Sequence, residues 1–151
     1  MSVLEATIES IDWSSLEVLS RSRTGLDLKD NVRRFLAANT TEEFFEAWFR
    51  IEGIAFAQDT TSRSCEAVIW VMLAALSERR SAHSYGWIVE VIRFILMGGS
   101  DEDVRVTSEG KWLLAMRAQE SEGVYQEAFL EVLEIIDPDF AVVVKSGLGS
   151  N

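Results

Sequence analysis

Ten consecutive apolar residues, Ala67-Val-Ile-Trp-Val-Met-Leu-Ala-Ala-Leu76, form the longest oily run in the chain. Asp59, Thr60, Thr61 and Ser62 before it can each cap a helix N-terminus. Arg79 and Arg80 after it suit the negative end of a helix dipole. The run is too short for a membrane span, which needs about 20 such residues. The two alanines and the overall length favour helix over buried strand. A helix apolar on all sides has to be covered on most of them, so residues 65–76 are expected to be a central helix with the others around it.

Elsewhere the apolar positions recur at helical spacing. Ser2 to Ser22 is predicted to be helical in two pieces, the second holding Trp13, Leu16 and Leu19 after Asp12. Gly25 reads as a stop, and a helix starting near Asp27 shows Leu28, Val32, Phe35 and Leu36 on one face. Thr40 with Glu43 forms a capping box ahead of a helix carrying Phe44, Phe45, Trp48, Phe49, Ile51, Ile54 and Phe56. Gly53 inside that helix suggests close packing of a neighbour. Residues 81–86, a short loop or loose first turn, precede a helix over 87–97 that ends at Gly98-Gly99, and Ser100-Asp-Glu-Asp103 begins the following element, its acids where a helix N-terminus prefers them. A helix from Thr107 or Ser108 is expected to bury Trp112, Leu113 and Met116, and to break at Gly123. The next carries Phe129, Leu130, Val132, Leu133 and Ile136, and Asp137-Pro138 stops it and starts a last turn with Phe140, Val142 and Val143. Residues 146–151 are expected to fray. The sum is about seven or eight helices in one domain, residues 1–151, with no competing alternation of strand type. The fold class is all-α, either a solenoid of HEAT-like helix pairs or an irregular multi-helix bundle. A weak period pairs residues 41–58 with 62–77 and 84–97 with 108–121.

Charge changes the picture more than composition does. The net charge is −11, and residues 99–139 hold eleven acids against Arg105, Lys111 and Arg117, a local balance of −8. Such a surface disfavours nucleic acid and anionic lipid and draws a basic protein over distance. The candidate partner-binding residues are Asp59, Asp101, Glu102, Asp103, Glu120, Glu122 and Glu127. A single cysteine, Cys65, excludes an internal disulfide and fits a small core thiol. The N-terminus lacks the basic flank and apolar core of a secretory signal, so a reducing cytoplasm is the expected location.

Catalytic templates fail on inventory. His83 is the sole histidine, and it lies in a polar loop as a solvated residue or cap. Gly98-Gly99 and Gly147-Leu-Gly149 lack the lysine and context of a phosphate loop. Glu42, Glu43 and Glu46, or Glu127, Glu131 and Glu134, could gather carboxylates on one helix face, but a solvated face is the simpler reading. Trp48, Trp70, Trp87 and Trp112 fall in apolar stripes and read as core. No catalytic, cofactor or metal site is expected.

The segment Ala47-Trp-Phe-Arg-Ile-Glu-Gly-Ile-Ala-Phe-Ala-Gln58, the stretch Ile88-Val-Glu-Val-Ile-Arg-Phe-Ile-Leu-Met-Gly-Gly99 and the residues from Gly110 to Tyr125 give a helical layout over roughly residues 30–136. It resembles the HEAT-like helical immunity proteins of bacterial polymorphic toxin systems. The resemblance implies a small α-solenoid that blocks a toxin by occlusion and carries no catalytic residue. A basic, nuclease-type toxin domain is the implied partner; a helical scaffold or adaptor unrelated to toxins is the alternative, and an enzyme with a carboxylate-bound metal the third reading.

Overall fold

The computed structural model describes residues 1–57, 60, 61 and 63–149. Among these are nine α-helices: α1 Val3–Ser10, α2 Gly25–Ala37, α3 Thr41–Ala55, α4 Arg63–Leu76, α5 Ala82–Leu96, α6 Asp101–Ser108, α7 Lys111–Glu120, α8 Gly123–Ile136 and α9 Pro138–Gly149. A 3-10 turn covers Trp13–Ser15, and β1, Phe56–Ala57, pairs antiparallel with β2, Thr60–Thr61. The architecture is an all-α multi-helix bundle. The chain divides into two compact units, Met1–Val71 and Met72–Asn151, with the boundary inside α4.

In the first unit α2 packs on α3 and on the 3-10 turn. The Phe35 and Phe44 rings meet edge to face at 4.9 Å. Trp13 is buried, and its indole N–H donates to the Ile8 carbonyl at 2.8 Å. Gly25 does not stop a helix but opens α2 beneath a reciprocal cap from Thr24 and Asp27. A Cβ there would lie 1.7 Å from the Trp13 carbonyl oxygen, so only glycine fits. Arg33 grips Glu5 with both arms, at 2.7 and 3.0 Å, tying α2 to α1.

The face of α3 is narrower than its hydrophobicity suggests. Phe44, Ala47, Ile51, Ile54 and Ala55 are buried, whereas Phe45 and Phe49 are exposed and stack on each other at 6.0 Å. The stripe is wider than its neighbours, α2 foremost, cover. Nothing approaches Gly53: a Cβ there would meet no atom within 4 Å, against the expectation of tight packing.

The long apolar run is helical. In α4 every residue from Ala67 to Leu76 is buried except Trp70, which is 42% exposed. Cys65 is buried as well.

In the second unit α8 packs against α5, α6, α7 and α9. That centre differs from the anticipated pairing of 84–97 with 108–121, since α5 and α7 each find their main partner in α8. Helix α5 starts at Ala82 under a Ser81 cap, so residues 82–86 are its first turn and not a loop. Helix α7 begins at Lys111, because residues 101–108 form a helix of their own that ends before Gly110. Leu73 comes within 2.5 Å of where a Gly110 Cβ would sit, so the turn between α6 and α7 has no room for a side chain.

Two faces are rotated from their expected positions. Helix α7 buries Leu114, Ala115 and Ala118 and leaves Trp112 72% and Met116 45% exposed. Helix α9 buries Ala141 and Val144 and exposes Val142 and Val143. Small residues allow close helix approach, which the largest side chains on the same helices would prevent. Helix α9 also continues to Gly149, through most of the stretch expected to fray, held by those two buried positions.

Candidate functional site

Local sequence builds a surface pocket in the second unit. Ser81 caps α5, its hydroxyl accepting the Ser84 amide at 3.2 Å, and this starts the helix so that Ala82 and Tyr85 line one wall. The Tyr85 hydroxyl accepts the Arg80 amide at 3.0 Å and donates to the Glu78 carbonyl, which pins the ring against the preceding loop. Across from it, Gly123 takes φ +59° and turns the chain from α7 into α8. The Gln126 side-chain amide donates to the Ala118 and Ser121 carbonyls at 2.9 and 3.0 Å, closing the end of α7. Tyr125 then lies over Gly86, its ring within 2.4 Å of where a Cβ would be. The result is a pocket of about 490 Å³ lined by Arg80, Tyr85, Glu120, Ser121, Glu122 and Tyr125.

Arg117 positions two of the lining residues, Tyr85 and Glu120. Its guanidinium stacks 4.6 Å over the Tyr85 ring, and Nε donates to the Leu76 carbonyl at 2.7 Å. A third contact, at 2.6 Å, holds Glu120. A cation therefore sits at the C-terminal end of α4, where the helix dipole favours it. Arg79 and Arg80 were the expected holders of that position. Arg80 donates to Ser84 at 3.2 Å and pairs with Glu78 at 3.4 Å.

Of the predicted partner-binding residues, the pocket brings together Glu120 and Glu122. Asp101 and Glu102 are exposed in the first turn of α6, Glu102 paired with Arg105 at 3.0 Å. Asp103 is only 2% exposed, so it offers no carboxylate to a partner. Three successive helical positions spread over about 200°, and here the third turns inward. Glu127 is exposed on α8. Asp59 lies outside the described residues.

Ion pairing sorts the eleven acids of residues 99–139 further. Glu102, Glu120, Glu131, Glu134 and Asp137 each hold a cation. Among the described residues Asp101, Glu109, Glu122, Glu127 and Asp139 are exposed without an ion-pair partner. Asp137 caps α9 through the Phe140 amide and also binds Lys111; these two contacts hold its carboxyl below the usual range, the amide contributing most.

His83 stands in the first turn of α5, its Nδ1 2.7 Å from the Tyr125 hydroxyl and its ring stacked on Trp87 at 6.4 Å. Among the described residues no group of three or more His, Cys, Asp and Glu side chains could hold a metal ion. No helix among them is long and apolar enough to cross a membrane. What the pocket can do is bind: two aromatic walls, a rim carboxylate with no cation, and a second carboxylate already positioned by Arg117. Sequence reading singled out the two glutamates through their charge. It missed Tyr85, Tyr125 and Arg117, which lie 40 residues apart or share no local pattern.

No family model matches the chain, and no curated protein or solved structure matches it either.

Proposed function

We infer that the protein is a binding module whose acidic second unit takes hold of a basic protein, and that its partner is a bacterial toxin domain which it neutralises by occlusion. The observation that carries this reading is the tyrosine-walled pocket rimmed by Glu120 and Glu122. An arginine or lysine from the partner would lay its aliphatic stem along the Tyr125 ring and its charge against Glu122, a geometry that gains both cation–π and ionic attraction. The exposed acids without internal partners would speed encounter by long-range attraction. Such a protein acts in the cytoplasm, performs no chemistry, and needs no cofactor.

Co-expression with the product of the neighbouring gene tests it. A complex is expected, together with rescue of cells that express that product alone and die. Glu122→Lys is expected to weaken the complex by about tenfold or more, the loss of a charge-assisted contact plus a new repulsion. Absence of both complex and rescue defeats the toxin reading. The adaptor alternative draws on a different observation, the exposed Phe45–Phe49 stack on α3. It predicts a partner whose binding is lost on Phe49→Ala and unaffected by Glu122→Lys.

A further inference from the structure

The second unit leaves a tryptophan in solvent. Trp112, in the first turn of α7, meets Phe140, in the first turn of α9, edge to face at 4.8 Å. That contact covers little of the indole, which stays 72% exposed. Met116 lies one turn after Trp112 and Val143 one turn after Phe140, and both are exposed as well. Two short apolar ridges, one on each helix, are thus joined where the rings touch, and a further helix packs against ridges of this kind. A contiguous apolar patch left in water marks a place where another protein sits.

Charge says which kind of helix fits. Lys111 lies over the Phe140 ring, 5.2 Å from its centre, and pairs with Asp137 at 3.0 Å, so its charge is already balanced. Glu109, three residues before Trp112, and Asp139, next to Phe140, are exposed and have no ion-pair partner among the described residues. The apolar surface therefore carries uncompensated negative charge beside it, which draws a basic partner. A second copy of this chain would set the same two carboxylates against them, so the surface does not suit itself. The rings add a further detail. Phe140 and Tyr85 each hold a cation, from Lys111 and Arg117. Trp112, whose indole is the best ring for such a contact, holds none among the described residues.

We propose that Trp112, Met116, Phe140 and Val143 form the docking surface for a basic amphipathic helix of another protein. A lysine or arginine of that helix stacks on the open indole and answers Glu109 or Asp139, while its apolar side chains cover Met116 and Val143. The surface shares no residue with the tyrosine-walled pocket and does not depend on the partner being a toxin.

A synthetic amphipathic peptide of leucine and arginine, its leucines at helical spacing, is the probe. A scrambled isomer and a peptide with glutamate for arginine run beside it. Each is titrated into the full chain labelled with fluorotryptophan, the Trp112 fluorine resonance being assigned by its loss in Trp112→Phe. The basic helical peptide is expected to shift the Trp112 resonance saturably. Trp87, stacked on His83 beside Tyr125, is expected to stay in place, which tells this surface from the tyrosine-walled pocket. The scrambled isomer is expected to bind about tenfold more weakly or worse, and the glutamate peptide not at all. Trp112→Ala removes an exposed side chain, so it is expected to leave circular dichroism unchanged and to weaken the basic peptide by about tenfold or more. Glu109→Gln combined with Asp139→Asn is expected to erase most of the preference for arginine over glutamate. No saturable shift at about millimolar peptide, equal affinity for the scrambled isomer, or affinity that survives Trp112→Ala overturns the proposal. So does a dimer of the chain that Trp112→Ala dissolves, because a second copy then covers the face.

Discussion

Gly25 and Gly53 look alike in the sequence, each a glycine among apolar and charged neighbours, and their surroundings are opposite. A methyl at Gly25 collides with the Trp13 carbonyl, a backbone atom that cannot step aside. Gly25→Ala is expected to destabilise by about 1–3 kcal/mol, the usual cost of overpacking, read as a lower urea midpoint. Gly53→Ala meets nothing and gains helix propensity, so the same experiment is expected to show stabilisation of about 1 kcal/mol. The tryptophans make a parallel case. Trp13 is 2% exposed and Trp112 is 72% exposed, so iodide is expected to quench the fluorescence of a variant retaining only Trp112 strongly, and of one retaining only Trp13 weakly. Hydrophobicity marks such residues as candidates for the core, but volume decides which of them a close neighbour can admit.

At the scale of the element, two helix starts were legible while several other boundaries, and most faces, were not. The Thr40 cap is present, its hydroxyl accepting the Glu43 amide at 3.1 Å. So is the Asp137 cap ahead of Pro138. Both rest on contacts within a few residues, which the sequence contains in full. The faces of α3, α7 and α9 depend on a neighbour brought from elsewhere in the chain, and there the largest apolar side chains misled. The cap carries a pH prediction. The folded carboxyl of Asp137 is held below its unfolded value, so the unfolded state binds its proton at higher pH than the folded state does. Its contribution is therefore complete above the unfolded value of about 4 and is lost as pH falls through the lower folded one. Asp137→Asn is expected to lower Tm at about pH 7 and to change it little once both states are protonated. An equal drop in Tm at both ends would show that the charge is not what matters.

For the molecule as a whole, charge is the property most readily tested. If the acidic surface steers a basic partner, association is expected to slow steeply as salt rises, while dissociation changes far less. Stopped-flow measurement of the complex at several ionic strengths separates the two. A salt-independent association rate would leave the acids as solubilising groups only.

The order of helices, the Thr40 and Asp137 caps, the buried long run and the sign of the surface were determined by the sequence alone, because each follows from local spacing or from simple addition of charge. Tertiary structure decided which of the described acids remain without cations, and that Arg117, 41 residues on, would reach the end of α4. It also decided that Tyr85 and Tyr125 would line one pocket. Those outcomes join residues tens of positions apart, and nothing in the pattern near any one of them states which distant backbone or side chain folding will bring against it.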